Sequence, residues 1–176
     1  MNLVKKLGLS LVVFMTAFYM QAATETVDGI TWNYTVNSGK AEIYKGSSSA
    51  AISSSTTGEI TIPSTLGGYA VTGIGAYAFY NCSSIVSIKI PDTVTSIGKS
   101  AFYYCRSLQT INIPKGVTSI EDSTFYDCDS LVSIVIPEGV KSIGLSAFSS
   151  CDALKNVVAR ESKRTIAQVN APTSAM

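Results

Sequence analysis

Between residues 58 and 159 the apolar positions follow two spacings, and together they mark out a repeating unit. Isoleucine pairs separated by one residue (Ile88/Ile90, Ile111/Ile113, Ile134/Ile136) have the period of two that puts both side chains on one face of a β-strand. A proline closes each pair (Pro91, Pro114, Pro137), withdrawing a backbone donor and ending the strand. A second apolar set follows: Val94 and Ile97, Val117 and Ile120, Val140 and Ile143. Each of these positions returns after 23 residues, as do Phe79, Phe102, Phe125 and Phe148, then Cys82, Cys105, Cys128 and Cys151, then Ile85, Leu108, Leu131 and Leu154. Pro63 lies 28 residues before Pro91, because the first unit carries five extra residues around 66–70.

One such unit cannot enclose its own apolar side chains. Stacked units can, because each strand pairs in parallel with its copy about 4.8 Å away and the inward residues form continuous columns. Each buried Ile, Leu or Phe then contributes about 1.5–3 kcal/mol relative to exposure. The pattern predicts a mainly β solenoid of about four 23-residue coils with a parallel sheet. Such an array needs three or more repeats to be stable.

The flanks read differently. Lys5 and Lys6 precede a 14-residue apolar run, residues 7–20, too short for a membrane span of about 20 residues but right for the apolar region of a secretory signal. With Ala22 and Ala23 following, residues 1–23 are expected to be a signal peptide. Residues 24–58 form the next division, a capping hairpin and a loop. Residues 31–36 alternate as a strand, Asn37-Ser38-Gly39 is a turn signal, and 40–44 pair back. Trp32, the only tryptophan, is expected to cover the open end of the first coil, the rival reading being an exposed aromatic contact. Residues 47–57, rich in Ser, Thr and Ala, read as a loop. The repeats occupy 59–160, and 161–176 break the pattern as a C-terminal cap or tail, with 162–169 as a short covering helix.

The repeated string L-x-x-I-x-I-P-x-x-V-x-S-I-G-x-x-A-F-x-x-C resembles the BspA-like leucine-rich repeats of bacterial and protozoan surface proteins. Glu121 departs from it where Gly98 and Gly144 stand, and Thr124 where Ala78, Ala101 and Ala147 stand. The resemblance implies a leucine-rich-repeat solenoid and a secreted or cell-surface interaction or adhesion module. It implies an extracellular or cell-surface protein as partner, bound on the outward face of the parallel sheet. That face would present Ser87, Lys89, Thr110, Asn112, Ser133, Val135, Asn156 and Val158.

Composition narrows the chemistry. Lys5 and Lys6 are two of the 13 basic residues, so without the leader 11 remain against 12 acidic ones, a net charge of −1. Such a chain has no electrostatic hold on nucleic acid. After signal cleavage no segment is long and apolar enough to span a membrane. Histidine is absent, which removes the commonest general base and metal ligand. Ser96 with Lys99 is arithmetically a Ser-Lys pair but lies in a repeated surface turn, so no catalytic residue, metal site or cofactor is expected. The four cysteines rise in a column that does not converge on a tetrahedral metal, and their parallel side chains read as small buried fillers. Tyr80, Tyr103 and Tyr126 also recur every 23 residues. They either shield the turn and stack on one another, or form an aromatic column that binds glycan.

Overall fold

Ile-x-Ile followed by proline gives very short strands, and the molecule is assembled by hydrogen-bonding them level upon level. The computed structural model describes residues 21–44 and 50–159, and every regular element within them is a strand. In chain order these are β1 (Gln21–Val27), β2 (Ile30–Asn37), β3 (Lys40–Ile43), β4 (Gly58–Thr61), β5 (Thr65–Leu66), β6 (Tyr69–Ile74), β7 (Ile85–Lys89), β8 (Ser96–Ile97), β9 (Thr110–Ile111), β10 (Ser119–Ile120), β11 (Ser133–Ile136), β12 (Ser142–Ile143) and β13 (Asn156–Ala159).

Three walls enclose the core. One is the parallel column β4-β7-β9 continued by β11-β13, with Ile60 level with Ile88, Ile88 with Ile111, and Ile134 with Val157. The second contains β3-β6-β8 and β10-β12, aligning Ile43, Ile74 and Ile97, then Ile120 and Ile143. The third wall is made of turns. There Phe79 N–H donates to Ala101 C=O at 2.7 Å, Phe102 to Thr124 at 2.9 Å, and Phe125 to Ala147 at 2.8 Å. Each turn holds two non-glycine residues at positive φ: Tyr77, Ser100, Ser123 and Ser146 at one position, Asn81, Tyr104, Asp127 and Ser150 four residues on.

Inside, Phe79, Phe102, Phe125 and Phe148 are fully buried and stack nearly parallel, with centroids 5.1, 5.3 and 5.4 Å apart. The cysteines are buried and free. Three thiols donate to the phenylalanine carbonyl of the preceding coil, Cys105 to Phe79 at 3.1 Å, Cys128 to Phe102 at 3.3 Å and Cys151 to Phe125 at 3.0 Å. Burial disfavours the thiolate, pushing Cys82 up to about 12 and Cys105 well above the usual thiol range, so these two are inert packing groups.

The N-terminal hairpin is present, and it is more than a lid. β1, β2 and β3 run antiparallel, and β3 then pairs in parallel with β6, so the cap becomes the first rung of the second wall. Trp32 is 1% exposed and meets the Phe79 ring edge to face at 6.2 Å. It covers the open end, and the exposed-contact reading falls. Residues 50–52, expected within a loop, are instead buried. Ala51 N–H donates to Ala78 C=O at 2.6 Å and Ala51 C=O accepts from Asn33 N–H at 2.8 Å, so Ala51 occupies the phenylalanine level beneath Phe79. β3, Ala51 and β4 thus make a fifth level below the four motif-bearing coils.

The five inserted residues form the tight β5–β6 hairpin. Gly67 and Gly68 turn it at φ 59° and 79°, a conformation that L side chains resist, and Gly67 N–H donates to the Glu25 carboxylate at 2.6 Å. Of the expected signal peptide, residues 1–20 lie outside the described residues, and Gln21, Ala22 and Ala23 pair with Val36, Thr35 and Tyr34 in β1. The C-terminal segment 161–176, with its expected helix, also lies outside.

Candidate interaction surfaces

Strand alternation decides which side chains of the first wall reach solvent. Ile88, Ile111 and Ile134 point inward and are buried. Lys89, Thr110, Asn112, Ser133, Val135, Asn156 and Val158 are exposed, and Ser87 is half-buried. The sheet register brings the expected face together as two columns. Ser87 lies level with Thr110, and Ser133 with Asn156. Val135 and Val158 are direct neighbours, 45% and 49% exposed.

Three members of this face make hydrogen bonds within the fold. Thr110 hydroxyl donates to Ser87 Oγ at 3.0 Å. Asn112 Nδ2 donates to Ile90 C=O at 2.8 Å, while its Oδ1 accepts from Ile90 N–H at 2.7 Å. β9 is only two residues long, and the Asn112 amide supplies the ladder bonds that the backbone does not make there. Asp92, Lys115 and Glu138, just beyond the prolines that close each strand, are exposed on the rim.

The turn wall carries the second surface. Tyr80 and Tyr103 stack at 5.8 Å, and Tyr103 and Tyr126 at 4.7 Å with planes 8° apart. Tyr104 stands edge-on against Tyr103 at 4.3 Å. A hydrogen bond between the two hydroxyls holds Tyr103 protonated, pushing it up to about 12. Arg106 lies over the Tyr104 ring at 4.8 Å and pairs with Asp127 through two nitrogens, at 2.7 and 2.8 Å, and with Asp129 at 3.9 Å. The spacing foresaw the column. It did not foresee Tyr104 and Arg106, whose copies in other coils are unlike residues. The faces of Tyr103 are occupied by its two neighbours, so the ridge shows solvent mainly ring edges and hydroxyls.

Among the described residues no group of three or more His, Cys, Asp or Glu side chains is placed to hold a metal ion. Lys99 faces Asp122 of the next coil at 3.9 Å, and no helix among the described residues is long and apolar enough to cross a membrane.

Residues 48–170 match, in six copies, the family described as BspA type leucine rich repeat region. No curated protein matches the chain significantly. Solved structures do. A leucine-rich repeat protein from Bacteroides capillosus ATCC 29799 is 30% identical over 78% of this chain and 99% of its own, with a TM-score of 0.62. A leucine rich cell surface protein from Faecalibacterium prausnitzii A2-165 is 28% identical over 80% of this chain, TM-score 0.62, and this chain spans 40% of its length. The T. pallidum leucine-rich repeat protein is 26% identical over 72% of this chain and 67% of its own, TM-score 0.59.

Proposed function

The chain belongs to the BspA-type leucine-rich repeat family, and from that premise we propose that it is a secreted or surface-associated, non-enzymatic interaction module. Its partner is an extracellular or cell-surface protein docking on the outward face of the first wall. One observation carries this reading: Val135 and Val158 sit side by side in register and half-exposed, while Ile134 and Ile136 of β11 are buried. A pair of aliphatic side chains flanked by Ser133 and Asn156 in the same strands, with Asn112 one coil before Val135, has the layout of an interface, an apolar centre with a polar rim. The apolar leader and the cell-surface relative support export. Glycan binding on the tyrosine column is the weaker reading, since a sugar packs on open ring faces and both faces of Tyr103, at the centre of the column, lie against its neighbours.

The repeat itself supplies a conservative test. Val135→Lys and Val158→Lys copy Lys89 of an earlier coil, so the fold accommodates them. Binding of the mature chain to a panel of immobilised extracellular proteins is expected to weaken by about tenfold or more in the double variant, with an unchanged melting temperature. Undiminished binding to every partner would remove the sheet face from the proposal.

A further inference from the structure

We propose that the tyrosine ridge and its acidic border form a second docking surface, one that takes an arginine-bearing segment of a partner polypeptide. The molecule already contains the interaction in miniature. Arg106 lies flat over Tyr104 and bonds Asp127, the combination of ring face and carboxylate that suits a planar cation with several donors.

One coil further on the elements differ: Asp127 takes the place of Tyr104, and the ring beside the carboxylates is Tyr126, the copy of Tyr103. Tyr126 is stacked on Tyr103 on one side, and on the other the next coil offers only Ser149, so that ring face has no aromatic cover among the described residues. The position of Arg106 is taken by Asp129 and then Asp152. Arg106 makes the only ion pairs found along this border among the described residues, so the carboxylates outnumber the cations. Mutual repulsion shows in Asp129, held above the usual carboxylate range by its burial and then by Asp127 and Asp152. A guanidinium over Tyr126 relieves that repulsion and finds hydroxyl acceptors along the ridge. A neutral sugar would gain a single ring face and leave the excess charge unmet. The occupant is therefore a basic peptide segment, and the surface is distinct from the sheet face.

Titration of the full mature chain against a fluorescently labelled peptide of alternating arginine and serine, and against its citrulline counterpart, tests this. The variants come from the repeat: Tyr126→Ser copies Ser149, and Asp129→Arg with Asp152→Arg copies Arg106. The arginine peptide is expected to bind about tenfold tighter than the citrulline one. Tyr126→Ser, which changes no charge, is expected to weaken it several-fold, and the double charge variant about tenfold, all at an unchanged melting temperature. Equal affinity for the two peptides would overturn the proposal. So would full retention in Tyr126→Ser, which would reduce the effect to diffuse charge attraction. Displacement of the peptide by a neutral oligosaccharide that itself requires Tyr126 would reassign the ridge to glycan.

Discussion

The first level of the solenoid and the coils above it solve one packing problem with different means. From Phe79 to Phe148 each ring rests on an identical ring, and each coil lends its neighbour the same carbonyls. The first level has no phenylalanine. Ala51 takes the backbone position, and Trp32 reaches across from β2 to fill the volume from another part of the chain. The difference teaches that the backbone ladder fixes the level while the side chain that fills it is negotiable at an end. In the interior, both neighbours constrain the shape.

The sharpest way to break that contrast is to empty an interior level. Phe102→Ala leaves a cavity between two rings and is expected to destabilise the protein by about 4 kcal/mol. Chemical denaturation should show the loss in one cooperative transition. Trp32→Ala removes comparable volume at the end, where neighbouring segments can relax into the space; about 3 kcal/mol is expected. Its signature is local. Amide exchange should accelerate in β2, β3 and residues 50–52 and much less in the turns around Phe125. Acceleration spread evenly over all levels would erase the distinction between end and interior. The smallest effect is expected from Asn112→Ala, which removes two hydrogen bonds at a partly exposed position, about 1 kcal/mol. Faster exchange of the Ile90 amide would mark it, and an unaltered Ile90 amide would show that water replaces the side chain without loss.

What could be read from the sequence follows the same division. Wherever a position had three copies in register, the reading was sound: the inward phenylalanines, the buried free cysteines, the strand-ending prolines and the stacked tyrosines. The first level was harder because Ala50, Ala51 and Ile52 look like the Ser/Thr/Ala-rich stretch around them, and only a tertiary hydrogen bond to Ala78 shows that they are core. β3 was legible as half of a hairpin but not as a rung of the parallel wall, since Ala41-Glu42-Ile43 carries too little of the motif. In the candidate site the outward residues of the first wall fall in register on one face, as strand alternation dictates. The bonds of Asn112 to Ile90 were not legible, because nothing in the order of outward residues tells that an amide will turn sideways and stand in for a backbone. Tyr104 and Arg106 escaped for the opposite reason: their chemistry depends on residues that differ between coils.

The ladder of turns, in which the Phe79 N–H bonds Ala101, the Phe102 N–H Thr124 and the Phe125 N–H Ala147, has an evolutionary consequence. Growth of such a chain is quantised. Tandem duplication or deletion of a whole 23-residue unit restores every neighbour relation, whereas an odd-sized change leaves a row of donors facing the wrong acceptors unless it bulges outward as the β5–β6 hairpin does. Unequal recombination can therefore make long and short descendants of one ancestor without redesigning a core, in keeping with a relative of which this chain spans only 40%.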